Sequence, residues 1–410
     1  MKHERGHEFA FLDKNSSSLF DPLHINKAIL AERAHNLRWA ELPGDVIPLT
    51  AADPDFPTAP VIGEAIARFS RDHYFSYGAS QGQLAFREAM AAFMQQKRNV
   101  SVGVDGILPV DSAAFGIYLT CKTLLRPGDE AIVFDPVDFL FAYSVEAVGG
   151  TAVRFPIPTG ANNIDFSAME SLITHRTRLI CLCNPLNPTG KVFTKEELHS
   201  LAVFAAKHNL YILSDEIWSD IVFAPNTFTS IASLDKDIAD RTITVTGFSK
   251  SYGLAGLRLG VVMATDPELL KRLYLNSLHS TTIHGVNILS QVAGTAALTQ
   301  AQDWLAGFLQ HLQRMRDLSV ERINGIPGLS CSSPEGCYVV LADVRQTGLS
   351  AAELQARLLK EAKVAVVPGL ERWFGPGAAG TIRISFATTE SLLNEAFDRI
   401  QKNLSIPCVS

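Results

Sequence analysis

The sequence lacks the features that mark several large classes of protein. No stretch approaches the ~18 to 20 uninterrupted apolar residues of a membrane span. The opening residues, MKHERGHEFAFLDKN, carry charge and break each apolar run within a few positions, so the h-region of a secretory signal is missing. A soluble, cytoplasmic protein without a membrane partner is expected. Positive charge is not in excess: 36 Lys and Arg against 42 Asp and Glu give a formal charge of −6. No basic run interleaved with aromatics occurs, which leaves no footprint for a phosphate backbone and sets nucleic acid aside as a partner. Cysteine is scarce as well. Cys121, Cys181, Cys183, Cys331, Cys337 and Cys408 lie mostly in apolar contexts such as RLICLCNP, as buried thiols of a reducing compartment do and a disulfide framework does not. Internal repeats and low-complexity tracts are absent. One metal signature occurs, His3, Glu4 and His7 in the order H-E-x-x-H. It sits at a terminus, has Gly6 inside the would-be helix and lacks a nearby third ligand, so no metal site is expected.

What is present is ordinary globular composition, 47% apolar and 19% charged, in a chain long enough for two or three structural units at ~100 to 200 residues each. From about residue 55 to 300, short apolar runs (EAIVFDP, TRLICLCNP, NLYILSDEI, DRTITVTGFSK, RLGVVMAT) alternate with helical patterns such as TKEELHSLAVFAAKHN. Near-continuous apolar runs between amphipathic helices predict parallel strands buried on both faces, hence an α/β sheet. The spacing divides the chain into an arm and the start of a smaller unit at 1–55, a large unit at 56–299, and a return to the smaller α+β unit at 300–410. The last begins with a long helical pattern, AQDWLAGFLQHLQRMRDLSVERIN.

Chemistry-bearing residues cluster just past the predicted strands, where open α/β sheets place ligands. In TVTGFSKSYGLAGLRLG, Lys250 follows a strand directly. A lone lysine there reads as a solvated charge, but Arg258 lies eight positions on in a Gly-rich turn and Ser249 precedes it. Two cations and a hydroxyl together can bind an anion and lower the amine's pKa. Asp215 ends the run NLYILSDEI, where a plain helix cap is the simpler alternative. In NPLNPTG, Asn187 stands in a turn rigidified by two Asn-Pro steps after a third strand. Amine, carboxylate, amide and guanidinium at strand ends suit a cofactor that offers an aldehyde, a ring nitrogen, a phenolic oxygen and a phosphate.

Taken in order, AADPDF, PGDEAIVFDP, NPLNPTG, SDEIW, GFSKSYGLAGLRLG and IRISFA span roughly residues 38 to 400. In these motifs the chain resembles the fold-type I pyridoxal phosphate enzymes, specifically the class I/II aminotransferases and the neighbouring PatB/MalY-type carbon–sulfur lyases. The resemblance implies a large domain with a mostly parallel sheet flanked by helices, a smaller α+β domain, and pyridoxal 5'-phosphate as cofactor. It makes Lys250 the aldimine lysine and the acid/base at Cα, Asp215 the partner of the ring nitrogen and Asn187 the donor to the ring's phenolic oxygen. Arg258 and Ser249 would hold the phosphate with backbone amides of Ser112, Ala113 and Ala114. Arg383 would clamp the substrate carboxylate, with Ala52 beside it, and Tyr77 would reach the phosphate of the neighbouring subunit in a homodimer.

Three positions depart from that pattern. Asp138 in DPVDFLF replaces a ring-stacking aromatic, Trp218 replaces a tyrosine whose hydroxyl meets the ring oxygen, and Gly247 replaces a phosphate-binding Ser or Thr. Two accounts of Asp138 stay open: it meets a basic or polar nitrogen of the substrate, or it turns away while Phe139 stacks. The RW pair at Arg38 and Trp39, with AADPDF and DPVDFLF, resembles the lyases, whereas GLAGLRLG and TIRISFATT resemble the aminotransferases. The leading expectation is an aminotransferase acting on an L-amino acid. A carbon–sulfur β-lyase, or other elimination or replacement chemistry, is the alternative. A transcriptional regulator with a borrowed domain of this kind fits poorly, because only about forty residues precede the family-like region.

Overall fold

The computed structural model describes residue 20 and residues 25–158, 160 and 163–404. The H-E-x-x-H stretch and Cys408 lie outside the described residues. In chain order the strands are β1 (Ile47–Pro48), β2 (Ile107–Val110), β3 (Glu130–Asp135), β4 (Thr151–Pro156), β5 (Thr177–Cys183), β6 (Tyr211–Asp215), β7 (Thr242–Gly247), β8 (Gly260–Met263), β9 (Val339–Asp343), β10 (Val364–Ala365), β11 (Val367–Pro368) and β12 (Thr381–Ser385).

Seven of them form one sheet in the order β2-β8-β7-β6-β5-β3-β4. From β7 to β4 all neighbours are parallel, and β3 is buried at every position, as expected of strands covered by helices on both faces. The sheet is mostly parallel as expected, and the run RLGVVMAT, read as one of the parallel strands, is the correction. It forms β8, which pairs antiparallel with both β2 and β7. The physical reason is the connection: residues 248–259 fold into turns and one short 3-10 segment, and a parallel return needs a crossover of roughly a dozen or more residues, usually through a full helix.

The second sheet is antiparallel, in the order β11-β12-β9. The predicted long helix is present as Gln302–Asn324, burying Trp304, Phe308, Leu312 and Met315. The N-terminal segment is sewn to this part of the chain. β1 pairs with β10, Ser385 N–H donates to Leu49 O at 3.0 Å, and Asp55 N–H donates to Ala387 O at 3.1 Å. Arg38 and Asp55, both buried, form a salt bridge beneath it, and Trp39 Nε1 donates to the same carboxylate at 2.6 Å. These bonds fix residues 50–53 against the C-terminal edge of the large sheet.

Candidate active site

β3, β5, β6 and β7 are consecutive in the sheet and end side by side. The chain beyond each end is stitched to its neighbour. Asn184 N–H donates to Asp215 O at 3.0 Å and Asp138 N–H donates to Asn187 O at 3.1 Å. The turn after β5 closes through Gly190, whose φ of +74° is available to glycine without strain. A Cβ there would stand 2.3 Å from Pro334 Cβ, so glycine also lets residues 334–336 lie on the turn. That brings Cys337 and Tyr338 to the site.

A cavity of about 360 Å³ opens at these strand ends. Every expected site residue except Tyr77 lines it. At its floor, Lys250 Nζ donates to Ala52 O at 2.6 Å and stands 5.3 Å from the centre of the Trp218 ring. Burial pushes the Lys250 ammonium below its ordinary pKa, against the attraction of Asp53. Among the described residues Lys250 is in no ion pair. Asp215 is buried, and its carboxylate accepts one hydrogen bond among the described residues, from Ile217 N–H at 3.1 Å. Burial raises its pKa to about 7, so the carboxylate is uncompensated and suited to a cationic partner.

Asn187 connects two charged groups. Its Oδ1 accepts from Arg383 Nη1 at 3.0 Å and its Nδ2 donates to Asp138 Oδ2 at 2.9 Å, which fixes the amide orientation and leaves a second amide hydrogen. Arg383, buried, also donates to Thr50 O at 3.2 Å and lies over the Phe374 ring. Asp138 accepts from Leu140 N–H as well, at 3.2 Å. Burial raises its pKa and the Arg383 charge opposes the rise. The carboxylate is therefore partnered by the chain itself, which removes the reason to assign it a basic substrate nitrogen. Phe139 does not lie beside it as a free replacement. Its ring meets Trp373 edge-on at 5.8 Å.

The anion end of the cavity is built by close approach. Ser112 caps the helix Ala113–Leu124, its Oγ accepting from Phe115 N–H at 3.0 Å. The helix's first amides point outward with no intrahelical partner. A Cβ on Gly260 would stand 2.3 Å from Ser112 C, so glycine lets the start of β8 lie on this helix start, and Arg258, two residues earlier, lines the same cavity. Arg258 is solvent-exposed and, among the described residues, in no ion pair. Gly247 has a reason too. A Cβ there would lie 3.2 Å from Leu259 O, too close for a side chain without a shift of β8.

Tyr77 is elsewhere. It is 90% exposed and its ring lies 5.3 Å from that of His284, away from the cavity. The sequence reading passed over Tyr338 and Asp53. Tyr338 Oη donates to Ala52 O at 3.0 Å, sharing that carbonyl with Lys250, and its ring meets Trp218 edge-on at 4.6 Å. The two aspartates of AADPDF were the available signal for Asp53. Nothing near Tyr338 in the sequence marked it.

The residues fit pyridoxal phosphate: an amine in no ion pair among the described residues, a buried uncompensated acid for a ring nitrogen, an amide with a hydrogen to spare, and a guanidinium in no ion pair lining the same cavity as a helix start. A family model for aminotransferase class I and II matches residues 44–400. An aspartate aminotransferase of Pyrococcus horikoshii is 31% identical over 363 residues, 88% of this chain and 91% of the relative. An aromatic-amino-acid aminotransferase of Thermococcus litoralis is 33% identical over 366 residues, 88% of this chain and 92% of the relative. A solved aromatic aminotransferase of Pyrococcus horikoshii is similar with a TM-score of 0.83 at 31% identity, covering 89% of this chain and 97% of that one. Cystalysin of Treponema denticola, a structure that contains pyridoxal 5'-phosphate, has a TM-score of 0.85 at 21% identity, a likeness of fold alone. The chain belongs to the class I and II aminotransferase family. It is a pyridoxal 5'-phosphate-dependent aminotransferase.

Proposed function

We propose that the chain moves the amino group of an L-amino acid to a keto acid, with Lys250 binding the cofactor covalently and then carrying the proton at the substrate Cα. Bound pyridoxal phosphate supplies the sink for the electron pair left on Cα. Asp215 pairs with a protonated ring nitrogen and so gains the counter-charge it lacks. Asn187 gives its second amide hydrogen to the ring oxygen, beside Trp218. Arg258, Ser249 and the amides at Ser112, Ala113 and Ala114 hold the phosphate, and Arg383 grips the α-carboxylate with its planar fork, next to the Ala52 backbone. Asp138 holds Asn187 in orientation. A homodimer is part of this reading, with Tyr77 reaching the neighbouring subunit's phosphate. Support comes from the neighbouring aromatics Tyr74, Phe75 and Tyr77, which are 79%, 59% and 90% exposed, more apolar surface than a monomer keeps without use. The five described cysteines are free thiols, which supports a reducing compartment, the cytoplasm.

The observation that carries the reading is the amine of Lys250, in no ion pair among the described residues, beside the buried, uncompensated Asp215, at neighbouring strand ends. The test is a half-reaction of purified holoenzyme with an amino acid and no acceptor. One equivalent of keto acid per site, without ammonia, is expected. Continuous release of ammonia with pyruvate and a thiol would overturn the reading in favour of β-elimination.

A further inference from the structure

The acceptor of the Lys250 amine is shared. Ala52 O takes hydrogen bonds from Lys250 Nζ at 2.6 Å and from Tyr338 Oη at 3.0 Å, which occupies both of its lone pairs. Both donors are held by packing. The Trp218 ring lies 5.3 Å from Nζ and meets the Tyr338 ring edge-on at 4.6 Å, so one indole packs against both, and Phe308 also meets the Tyr338 ring edge-on, at 6.3 Å. The acceptor is fixed as well. Arg38 Nη1 donates to Pro48 O and Ala51 O, both at 3.2 Å. Gly253, on the loop that follows the lysine, lies against Pro54: its φ of +66° suits glycine, and a Cβ there would stand 3.4 Å from Pro54 Cγ.

The residue after Ala52 is Asp53, which does not line the cavity and, among the described residues, is in no ion pair. It still acts on the lysine. Burial pushes the Lys250 ammonium below its ordinary pKa; Asp53 opposes the fall most strongly, Arg383 adds to it, and Asp138 and Asp215 oppose it less. The influence is mutual, for burial raises the Asp53 pKa while Arg38 and then Lys250 oppose the rise. Of the four charges facing the lysine, three have other work in the reading above: Arg383 at the substrate carboxylate, Asp138 on Asn187, and Asp215 at the ring nitrogen. Arg38 is paired with Asp55. Asp53 is left to the lysine. Burial also pushes the Tyr338 hydroxyl above the usual tyrosine range, with Asp53 adding to the rise and Arg38 opposing it, so Tyr338 remains a donor.

The two neighbours pull the amine in opposite directions. A nearby carboxylate favours the ammonium over the neutral amine. A second donor on the same carbonyl draws on the electron density that Lys250 Nζ binds, and so weakens the support that this hydrogen bond gives the ammonium. A buried tyrosine hydroxyl needs some acceptor. Here the acceptor it takes is the lysine's own.

Resting on the aminotransferase reading above, we infer that Tyr338 and Asp53 are positioning residues for the free amine of Lys250: Tyr338 shares and tempers its carbonyl acceptor, and Asp53 supplies its counter-charge from outside the cavity. Neither lines the cavity. Together they keep Lys250 a strong enough base to take the proton from Cα, and keep the resulting ammonium acidic enough to give that proton back.

The test uses the full-length chain freed of cofactor and given pyridoxal 5'-phosphate over a range of pH. Growth of the imine absorbance band reports the unprotonated amine, and its rate against pH gives a midpoint for Lys250. Asp53→Asn should move that midpoint down by about one unit, the lower end of what a nearby opposite charge contributes, so capture well below the midpoint becomes about tenfold faster at a fixed pH. Tyr338→Phe, which keeps the ring and removes the donor, should move it up by about half a unit. Asp53→Glu keeps the charge and should leave the midpoint in place. Asp53→Ser and Tyr338→Leu serve where the first choices do not fold. Groups that the neighbouring subunit adds are the same in every variant and drop out of the difference. A midpoint unchanged in either the Asp53→Asn or the Tyr338→Phe variant, or moved the same way in both, would overturn the inference, as would Asp53→Glu matching Asp53→Asn. The two readings fail separately. Opposed shifts with ammonia release in the half-reaction would sink transamination alone, and clean keto-acid formation with unmoved midpoints would sink the positioning roles alone.

Discussion

The floor and the mouth of the cavity are made in opposite ways. The floor is built from polar residues at the end of, or up to four positions past, neighbouring parallel strands, so the sheet spacing sets how far apart Asp215, Asn187 and Lys250 stand. The mouth includes Leu37, Phe139 and Trp373, on three segments distant in sequence. One sheet sets the floor, whereas several independent segments set the mouth.

The comparison breaks most sharply at Lys250. Lys250→Ala should lower turnover by at least the ~10² to 10⁴-fold that a positioned acid/base supplies. Phosphate contacts should still retain cofactor, but without the imine absorbance band; an unchanged band would remove Lys250 from the mechanism. Next come two variants that should differ in kind. Arg383→Lys should raise KM for every amino acid, since an ammonium cannot copy the fork, whereas Asp215→Asn should leave KM nearly intact and depress kcat. The same kinetic pattern in both would sink the division of roles.

Beneath the mouth, Asp55→Ala leaves Arg38 buried and unpaired. It should cost about 3 to 5 kcal/mol in denaturant unfolding; a loss under 1 kcal/mol would show that the arm is not anchored there. Asp138→Asn is smaller. It keeps an acceptor for Asn187 and removes a negative charge from beside Arg383, so simple carboxylates should bind a few-fold more tightly, measured as inhibition constants.

The remaining effect is on stability against pH. Burial raises the Asp215 pKa to about 7 in the folded chain, above an unfolded value near ~3.9. The folded state then holds the extra proton between those values, and stability falls as pH rises through that window and levels off above it. Cofactor that supplies a counter-charge should cancel the Asp215 share. The melting temperature of the holoenzyme should therefore pull away from that of the apoenzyme between about pH 4 and 7, and a gap independent of pH would argue against the pairing.

How much of this could be read from the sequence follows the same division. Lys250, Asp215, Asn187, Arg258 and the start of the helix at Ala113 stand in compact motifs, because each is set by a local strand-to-turn geometry. Asp138 was visible as a departure, but its partners were not. Asn187 follows the neighbouring strand β5 and Arg383 lies on β12 of the second sheet, and neither contact has a local signature. Tyr338 left no sequence signal. It matters through a hydroxyl that meets a carbonyl from the far end of the chain. The antiparallel turn of β8 was hidden because an apolar run of four looks the same in either direction.

The pairing of β1 with β10, and of Leu49 with Ser385, joins the two ends of the chain. During synthesis the lysine-bearing sheet can form while the ribosome is still adding residues, but the segment carrying Ala52, which bonds to Lys250 and Arg38, lacks its backbone partners until residues 364–385 emerge. Contacts of such sequence separation form late, because loop closure must precede them. The Lys250 amine thus spends the last part of translation beside a segment not yet clamped, and a chain released before residue 383 would keep Lys250 and lack Arg383, the side chain proposed above for the substrate carboxylate.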